Sequence, residues 1–400
     1  MTEPAPIIRI AAKGDGVTAD GVHVPYAATG DVLLPDGTLQ PGPHHVAPPC
    51  RHFAACGGCQ LQHCDEAALA SYVSERVTFA AEGQGLEPAN VTPAHLSPPQ
   101  SRRRATLHGQ RVGGRIVLGF REAGSHRIVD LAECPVLAPD LFALVAPLRA
   151  MLAKQPGRLA VDIDLAATDQ GVDNAIRGLA VEGLQATEAM LVFARDNGLA
   201  RLTLDQGYGP EAMWEPEPVT VTLSGVPVGC PSGSFLQATP DAEAALVAAA
   251  RDWLADAPFV ADLFSGLGTF AFALAGPTTK VLAAEAAQDA HLACKAAAGR
   301  AQVPVHALHR DLFRNPLRPE ELDRFAAVLL DPPRAGAKEQ VRQIAQSKVP
   351  RVAYISCNPS SWARDAKTLA EAGYRLAEVR PVGQFRWSTH VELASLFVRD

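Results

Sequence analysis

From about Pro240 onward, short apolar runs alternate with longer amphipathic stretches. An alanine-rich helix, Ala242 to Ala255, leads into five apolar strands: Phe259 to Phe264, Lys280 to Glu285, Val303 to Leu308, Ala326 to Leu330 and Arg351 to Ile355. Apolar strands separated by helical sequence predict a parallel sheet covered on both faces. Tyr374 to Val382 and His390 to Val398 predict a closing antiparallel pair. The earlier chain has a different rhythm. Ile7 to Ile10, a Gly14-Asp15-Gly16 turn, Val22 to Pro25 and Val32 to Leu34 predict a small β-unit. Pro35 to Pro49, rich in proline and glycine, reads as a linker, and a helix is expected from about Asp65 to Glu82. Between Arg102 and Val228 the pattern gives mostly short strands, such as Arg115 to Phe120 and Leu159 to Leu165. Helices are expected there near Leu141 to Ala153 and Thr187 to Asn197. That middle region is expected to be α+β with a substantial antiparallel share.

Composition agrees with a folded chain of two or three domains. The 400 residues are 48% hydrophobic and 20% charged, which excludes disordered, collagen-like and coiled-coil classes. No apolar run reaches the ~18 residues of a membrane span, and Met1 to Ile10 is too polar for a signal peptide. A soluble cytoplasmic protein is the expectation. The net charge of −7 excludes a protein that coats nucleic acid by charge alone. One local exception stands out: seven arginines (102, 103, 104, 111, 115, 121 and 127) against a single acid, Glu122. Read alone, such a run is a solvated surface. Four of the eight cysteines, Cys50, Cys56, Cys59 and Cys64, fall close together, while Cys134, Cys230, Cys294 and Cys357 are scattered. In a reducing compartment, clustered cysteines read as metal ligands. Their spacing does not separate iron–sulfur from zinc.

Four motifs carry candidate chemistry. Val260 to Phe270 ends a strand in a glycine-rich turn, and Glu285 closes the next strand about twenty residues later, where a ribose-binding carboxylate stands in doubly wound folds. The turn lacks the third glycine of a dinucleotide fingerprint, so a single adenosine fits better and points to S-adenosylmethionine. Asp331-Pro332-Pro333-Arg334 follows an apolar strand, with two rings stiffening the carboxylate's position. Cys357 ends another strand on the same edge, and Glu392 sits inside an apolar run where a carboxylate must be paired or functional. A thiolate, a methyl donor and a base together suit one reaction, methylation of C5 of a pyrimidine. Thiolate addition at C6 makes C5 nucleophilic, and a base then removes the C5 proton.

These residues resemble the RNA uracil-5-methyltransferase family, in particular its iron–sulfur branch acting on 23S ribosomal RNA. The likeness runs through Cys50-x5-Cys56-Gly57-Gly58-Cys59 with Gln60-Leu61-Gln62-His63, Gly119-Phe120-Arg121 and Cys134-Pro135. It continues through Ser234-Phe235-Leu236-Gln237, the Asp262 to Phe270 turn, Asp331 to Arg334, Ser356-Cys357-Asn358-Pro359 and His390-Val391-Glu392. The resemblance implies a 4Fe-4S cluster on Cys50, Cys56, Cys59 and Cys134, with Cys64 a bystander. It implies a methyl-donor pocket lined by Gln237, Phe264, Gly266, Thr269, Glu285, Asp311 and Asp331, with Gln237 and Asp331 also orienting the base. Cys357 would be the nucleophile and Glu392 the base. It further implies a Rossmann-like α/β methyltransferase domain over 231–400, an iron–sulfur and RNA-binding domain over 47–230, and a truncated TRAM-like (OB-like) β-unit over 1–46. The arginine run would hold phosphates of the ribosomal RNA, the target uracil would leave its stack to be modified, and the enzyme would act as a monomer.

Three departures from the family pattern are visible. The β-unit stops near Val46, too early for a complete barrel. Thr269 stands where asparagine is common, and Gln384 to Thr389 lacks the usual proline. Alternatives are the transfer-RNA branch, which lacks the cysteine cluster, amino-group methylation through the Asp-Pro-Pro motif, and a non-catalytic iron–sulfur RNA-binding factor keeping a relic fold.

Overall fold

The computed structural model describes residues 3–399; residues 1, 2 and 400, at the ends of the expected first and last domains, lie outside the described residues. Seven strands of the C-terminal part form one sheet: β1 (Phe259–Leu263), β2 (Lys280–Glu285), β3 (Val305–His309), β4 (Ala327–Leu330), β5 (Arg351–Ser356), β6 (Arg375–Gly383) and β7 (Glu392–Val398). Their order is β3-β2-β1-β4-β5-β7-β6. The first five run parallel, and β7 is antiparallel to both β5 and β6. Alternation along each strand explains the near-continuous apolar sequence. Ala261, Val328, Val352 and Tyr354 enter one core layer, while Val260, Leu329, Ala353 and Ile355 enter the other. Order reverses between β1 and β4, so the ligand edge of such a sheet lies at the carboxyl ends of these strands.

An eighth strand comes from far away in sequence. His95–Leu96 pairs in parallel with β6, and the helix Glu66–Glu82 packs its buried Tyr72, Val73 and Val77 into the core layer that holds helix Pro359–Glu371. The middle of the chain forms a six-stranded sheet. Four of its five pairings are antiparallel, and the Gly171–Arg177 and Leu199–Asp205 strands run parallel across helix Leu184–Asp196. The antiparallel share expected there is present.

Residues 5–40 form a five-stranded antiparallel sheet. Among the described residues no pairing joins its outer strands, so it stays open. The stretch expected to be a linker is instead tied down. Buried Asp31 accepts from Gly42 N at 2.7 Å and Ala28 N at 2.8 Å, and contacts His45 Nδ1 at 2.7 Å. Composition signalled only irregular backbone; one buried carboxylate with three partners fixes it.

Candidate active site

The turn after β1 brings the chain back sharply over the sheet edge. Phe264 takes a left-handed backbone (φ 66°), and its amide and that of Ser265 donate to Ala284 O at 3.0 and 3.1 Å. Gly268 also has positive φ (97°), and a Cβ there would come within 2.7 Å of the Phe272 ring and 3.0 Å of Cys294 Sγ. Only glycine serves at that position. Glu285 holds the turn from the next strand. Its Oε2 accepts from Gly266 N at 2.8 Å, and its Oε1 from Ala286 N and Ala287 N at 2.8 and 2.7 Å. A carboxylate offers about four acceptor directions, so room remains for a ribose hydroxyl. Phe264 packs at 5.3 Å on Phe313, which is 47% exposed. The turn carrying Phe313 is shaped by Asp311, whose Oδ1 accepts from Phe313 N and Arg314 N. Thr269, the first residue of the helix Thr269–Leu274, follows Gly268 directly.

Asp331 leaves β4 at the same edge, its amide donating to Leu263 O at 3.2 Å. Gln237 reaches it from the segment before helix Pro240–Leu254, Nε2 to Oδ2 at 3.3 Å. Gln384, which the sequence reading did not single out, completes this polar chain. Its Nε2 donates to Gln237 Oε1 at 3.1 Å, and its Oε1 accepts from Ala238 N at 2.8 Å. Burial raises the Asp331 carboxyl well above the ordinary range, helped by Glu392 and Asp262 nearby.

Cys357 lies between β5 and helix Pro359–Glu371. Asn358 caps that helix, accepting from Ser360 N at 3.2 Å, with Pro359 at its first position. This sharp strand-to-helix join leaves Cys357 half-buried at the edge. Burial pushes its thiol up to about 11, reinforced by Glu392 and Asp331 and opposed by Arg334. Glu392 opens β7 and is buried, and burial raises its carboxyl to about 7 against a bond from Gln384 and the charge of Arg104. Arg104 also lies over the ring of Phe235 at 4.5 Å, and Phe235 is 59% exposed. An exposed ring beside a guanidinium, a thiol and a carboxyl is a surface on which a base can stack. Gln384, Arg104 and Phe235 were the missed or underused residues. Only the charge run and the Phe235 neighbourhood of Gln237 hinted at them in sequence.

The structure corrects the expectation for the arginine run. Arg103 donates to Gln237 O at 2.9 Å and pairs with Glu243, Arg111 reaches Leu152 O at 3.3 Å, and Arg102 and Arg104 are half-buried. Only Arg115, Arg121 and Arg127 are exposed. Arg103 and its neighbours are spent at the junction between the middle sheet and the Gln237 segment, so the free positive surface is smaller than the sequence suggests.

Cys50, Cys56, Cys59 and Cys134 line a single recess with Arg102, Phe120 and Gln62. Cys64 is buried in a core layer away from it. Burial raises the thiols of Cys50, Cys56 and Cys59, Cys59 to about 12. Among the described residues, no three His, Cys, Asp or Glu side chains are grouped as ligands of one metal ion. Among the described residues, no helix is long and apolar enough to cross a membrane.

Sheet order, glycine-rich turn and acidic strand ends together define a methyltransferase of the doubly wound α/β class. Residues 231–400 match the family model described as tRNA (uracil-5-)-methyltransferase. An uncharacterized RNA methyltransferase of Zymomonas mobilis is 49% identical, covering 98% of this chain and 99% of its own length. The 23S rRNA (uracil(1939)-C(5))-methyltransferase RlmD of Halomonas elongata is 33% identical, covering 87% of this chain and 75% of its own length. The fold matches the crystal structure of Pyrococcus abyssi tRNA (uracil-54, C5)-methyltransferase in complex with S-adenosyl-L-homocysteine, with a TM-score of 0.75, 22% identity and 99% of each chain covered. The chain belongs to the S-adenosylmethionine-dependent RNA uracil-5-methyltransferase family.

Proposed function

We propose that the chain methylates C5 of a specific uridine in 23S ribosomal RNA through a transient bond between Cys357 Sγ and C6 of the base. One observation carries the reading: a half-buried thiol and a buried carboxyl, Cys357 and Glu392, stand beside the Gln237–Asp331 pair at the carboxyl edge of the sheet. The ribosomal target follows the name of the Halomonas relative.

The donor's sulfonium supplies the methyl group. Gly266, Glu285, Asp311, Phe264 and Thr269 would hold its adenosine part, and Gln237 and Asp331 its reactive end or the flipped base. Cys357 gives up its proton to solvent as Sγ bonds to C6, with Arg104 and Arg334 favouring the anionic state. C5, now electron-rich, takes the methyl group. Glu392 accepts the C5 proton, and Sγ leaves with the electrons of its C6 bond as the ring double bond reforms. A base poised near neutrality exchanges that proton at little cost.

Cys50, Cys56, Cys59 and Cys134 supply the donor set that an iron–sulfur cluster would take. Four thiols share one recess with a half-buried arginine, and thiolates are the ligands that a 4Fe-4S group takes. A 4Fe-4S group there would staple residues 50–59 to the segment around Cys134. The same reading takes 1–46, 47–230 and 231–400 as a truncated TRAM-like unit, the iron–sulfur RNA-binding domain and the catalytic domain of a cytoplasmic monomer.

Mapping 5-methyluridine in ribosomal and transfer RNA, with and without the gene, tests the proposal. Loss of a single mark in 23S RNA is expected. Loss of a transfer-RNA mark instead would move the substrate to that branch, and an unchanged map would reject the activity.

A further inference from the structure

Arg102 is an inward-facing cation in a place that the catalytic reading leaves unexplained. Among the described residues no carboxylate forms an ion pair with it, and its half-buried side chain lines one recess with Cys50, Cys56, Cys59 and Cys134. A partly buried guanidinium without a carboxylate partner is costly unless negative charge is supplied nearby. The recess it lines holds four thiols, whose ionised, ligand-bound state would supply that charge.

The same side chain reaches in two other directions. Its Nε donates to the main-chain oxygen of Arg104 at 3.0 Å, and its guanidinium lies over the Phe385 ring at 5.3 Å. Arg104 is the cation beside Glu392 and Cys357. Phe385 directly follows Gln384, the residue bonded to Gln237, and packs at 5.6 Å on His390, two residues before Glu392. Both walls around the thiol and carboxyl therefore touch one guanidinium whose other neighbours are the recess cysteines.

We infer that Arg102 is a positioning residue that couples the cysteine recess to the catalytic carboxyl: negative charge in the recess holds Arg102, and Arg102 holds Arg104 and the Gln384–His390 loop in register with Glu392. The inference rests on the proposed reaction and cluster, but its readouts differ from theirs. In Arg102→Gln, Arg104 loses its tether and Glu392 loses a stabilising cation. The acid limb of kcat/KM for RNA methylation is expected to move upward by roughly half a pH unit or more, with kcat falling about tenfold or more and the donor KM within about twofold. Arg102→Lys keeps the charge but not the planar fork, and is expected to restore the limb's position in part. Cys134→Ser is expected to reproduce the same shift, because it weakens the charge that anchors Arg102. Metal content and visible absorption of the purified proteins, and binding of S-adenosylhomocysteine by calorimetry, are read alongside.

If wild-type protein methylates uridine and Arg102→Gln keeps both the limb and kcat, the coupling is wrong while the activity stands. If Cys134→Ser loses its metal yet keeps the wild-type limb, the recess does not act through Arg102 and the inference is overturned. If wild-type protein methylates no uridine, the proposed function fails first, and a visible absorption unchanged from wild type in both Arg102→Gln and Arg102→Lys would then overturn the coupling independently, S-adenosylhomocysteine binding being expected to stay as in wild type.

Discussion

Cys357 and Glu392 each lie one residue beyond the last cross-strand pair of β5 and β7, Ser356 opposite Leu393. An antiparallel register thus sets the Cys357 thiol beside the Glu392 carboxyl, although 35 positions separate them in sequence. Replacing Cys357 with Ala removes the sulfur from a half-buried position at little cost to packing. Methylation is expected to fall to background with the melting temperature almost unchanged, and RNA carrying 5-fluorouridine should no longer form a denaturant-resistant complex with the protein. Persistent methylation would point to nitrogen as the acceptor.

Glu392→Gln keeps the shape and removes the proposed base. The C6 adduct can form but its C5 proton stays, so methylated RNA is expected to remain bound to Cys357 and to appear as a shifted band on denaturing gels. Turnover should drop by about 10² to 10⁴, the usual contribution of a positioned base.

Activity in the wild type should rise with pH. Burial raises Glu392 to about 7, and only its ionised form accepts a proton, so kcat/KM is expected to climb through an apparent pKa near 7. Stability runs the other way. A carboxyl whose folded value exceeds its unfolded one binds more protons when folded, so its contribution fades as pH rises from about 4.5 to about 7. Thermal melts of wild type and Glu392→Gln should therefore diverge between pH 5 and pH 8, the variant gaining at the alkaline end.

Asp262 offers a cleaner stability test. It is fully buried, neither carboxyl oxygen accepts a well-formed hydrogen bond, and burial raises it to about 7 against a weak pull from the Ala271 amide, with Glu285 adding to the shift. Ionising it costs up to about 4 kcal/mol by the linkage relation. Asp262→Asn is expected to flatten the decline in melting temperature from pH 5 to pH 8; an unchanged slope would show that the carboxyl finds a partner in solution.

Glu285→Gln should unhook the glycine-rich turn. The amide has one acceptor oxygen for three backbone donors, and bonds to charged groups are each worth about 1.5–3 kcal/mol. Affinity for S-adenosylhomocysteine, measured by calorimetry, is expected to drop about tenfold to a hundredfold.

Much of the catalytic part could be read from sequence because its rules are local. Strand and helix periods, a Pro-capped helix after Cys357 and a glycine where a Cβ would strike Phe272 all leave marks within ten residues. Gln384 left none: a lone glutamine gains meaning only when folding sets it against Gln237 and Ala238, roughly 150 positions earlier. The arginine run misled for the same reason, since composition counts charges while Glu243 and the Gln237 backbone decide which of them reach water. The Pro35–Pro49 stretch misled through Asp31, whose role needs His45 and Gly42 beside it.

The pairing of His95–Leu96 with β6 has a cost during synthesis. Roughly 290 residues must be translated after that short strand before its neighbour leaves the ribosome, the kind of distant closure that slows folding. Until then the helix Glu66–Glu82 has no sheet to cover. A fragment cut at residue 230 would inherit the reverse difficulty: a bare rim along β6 and an oily surface where Tyr72 and Val77 belong, both invitations to aggregate. Residues 66–96 thus form a cover for a sheet whose edge is made last.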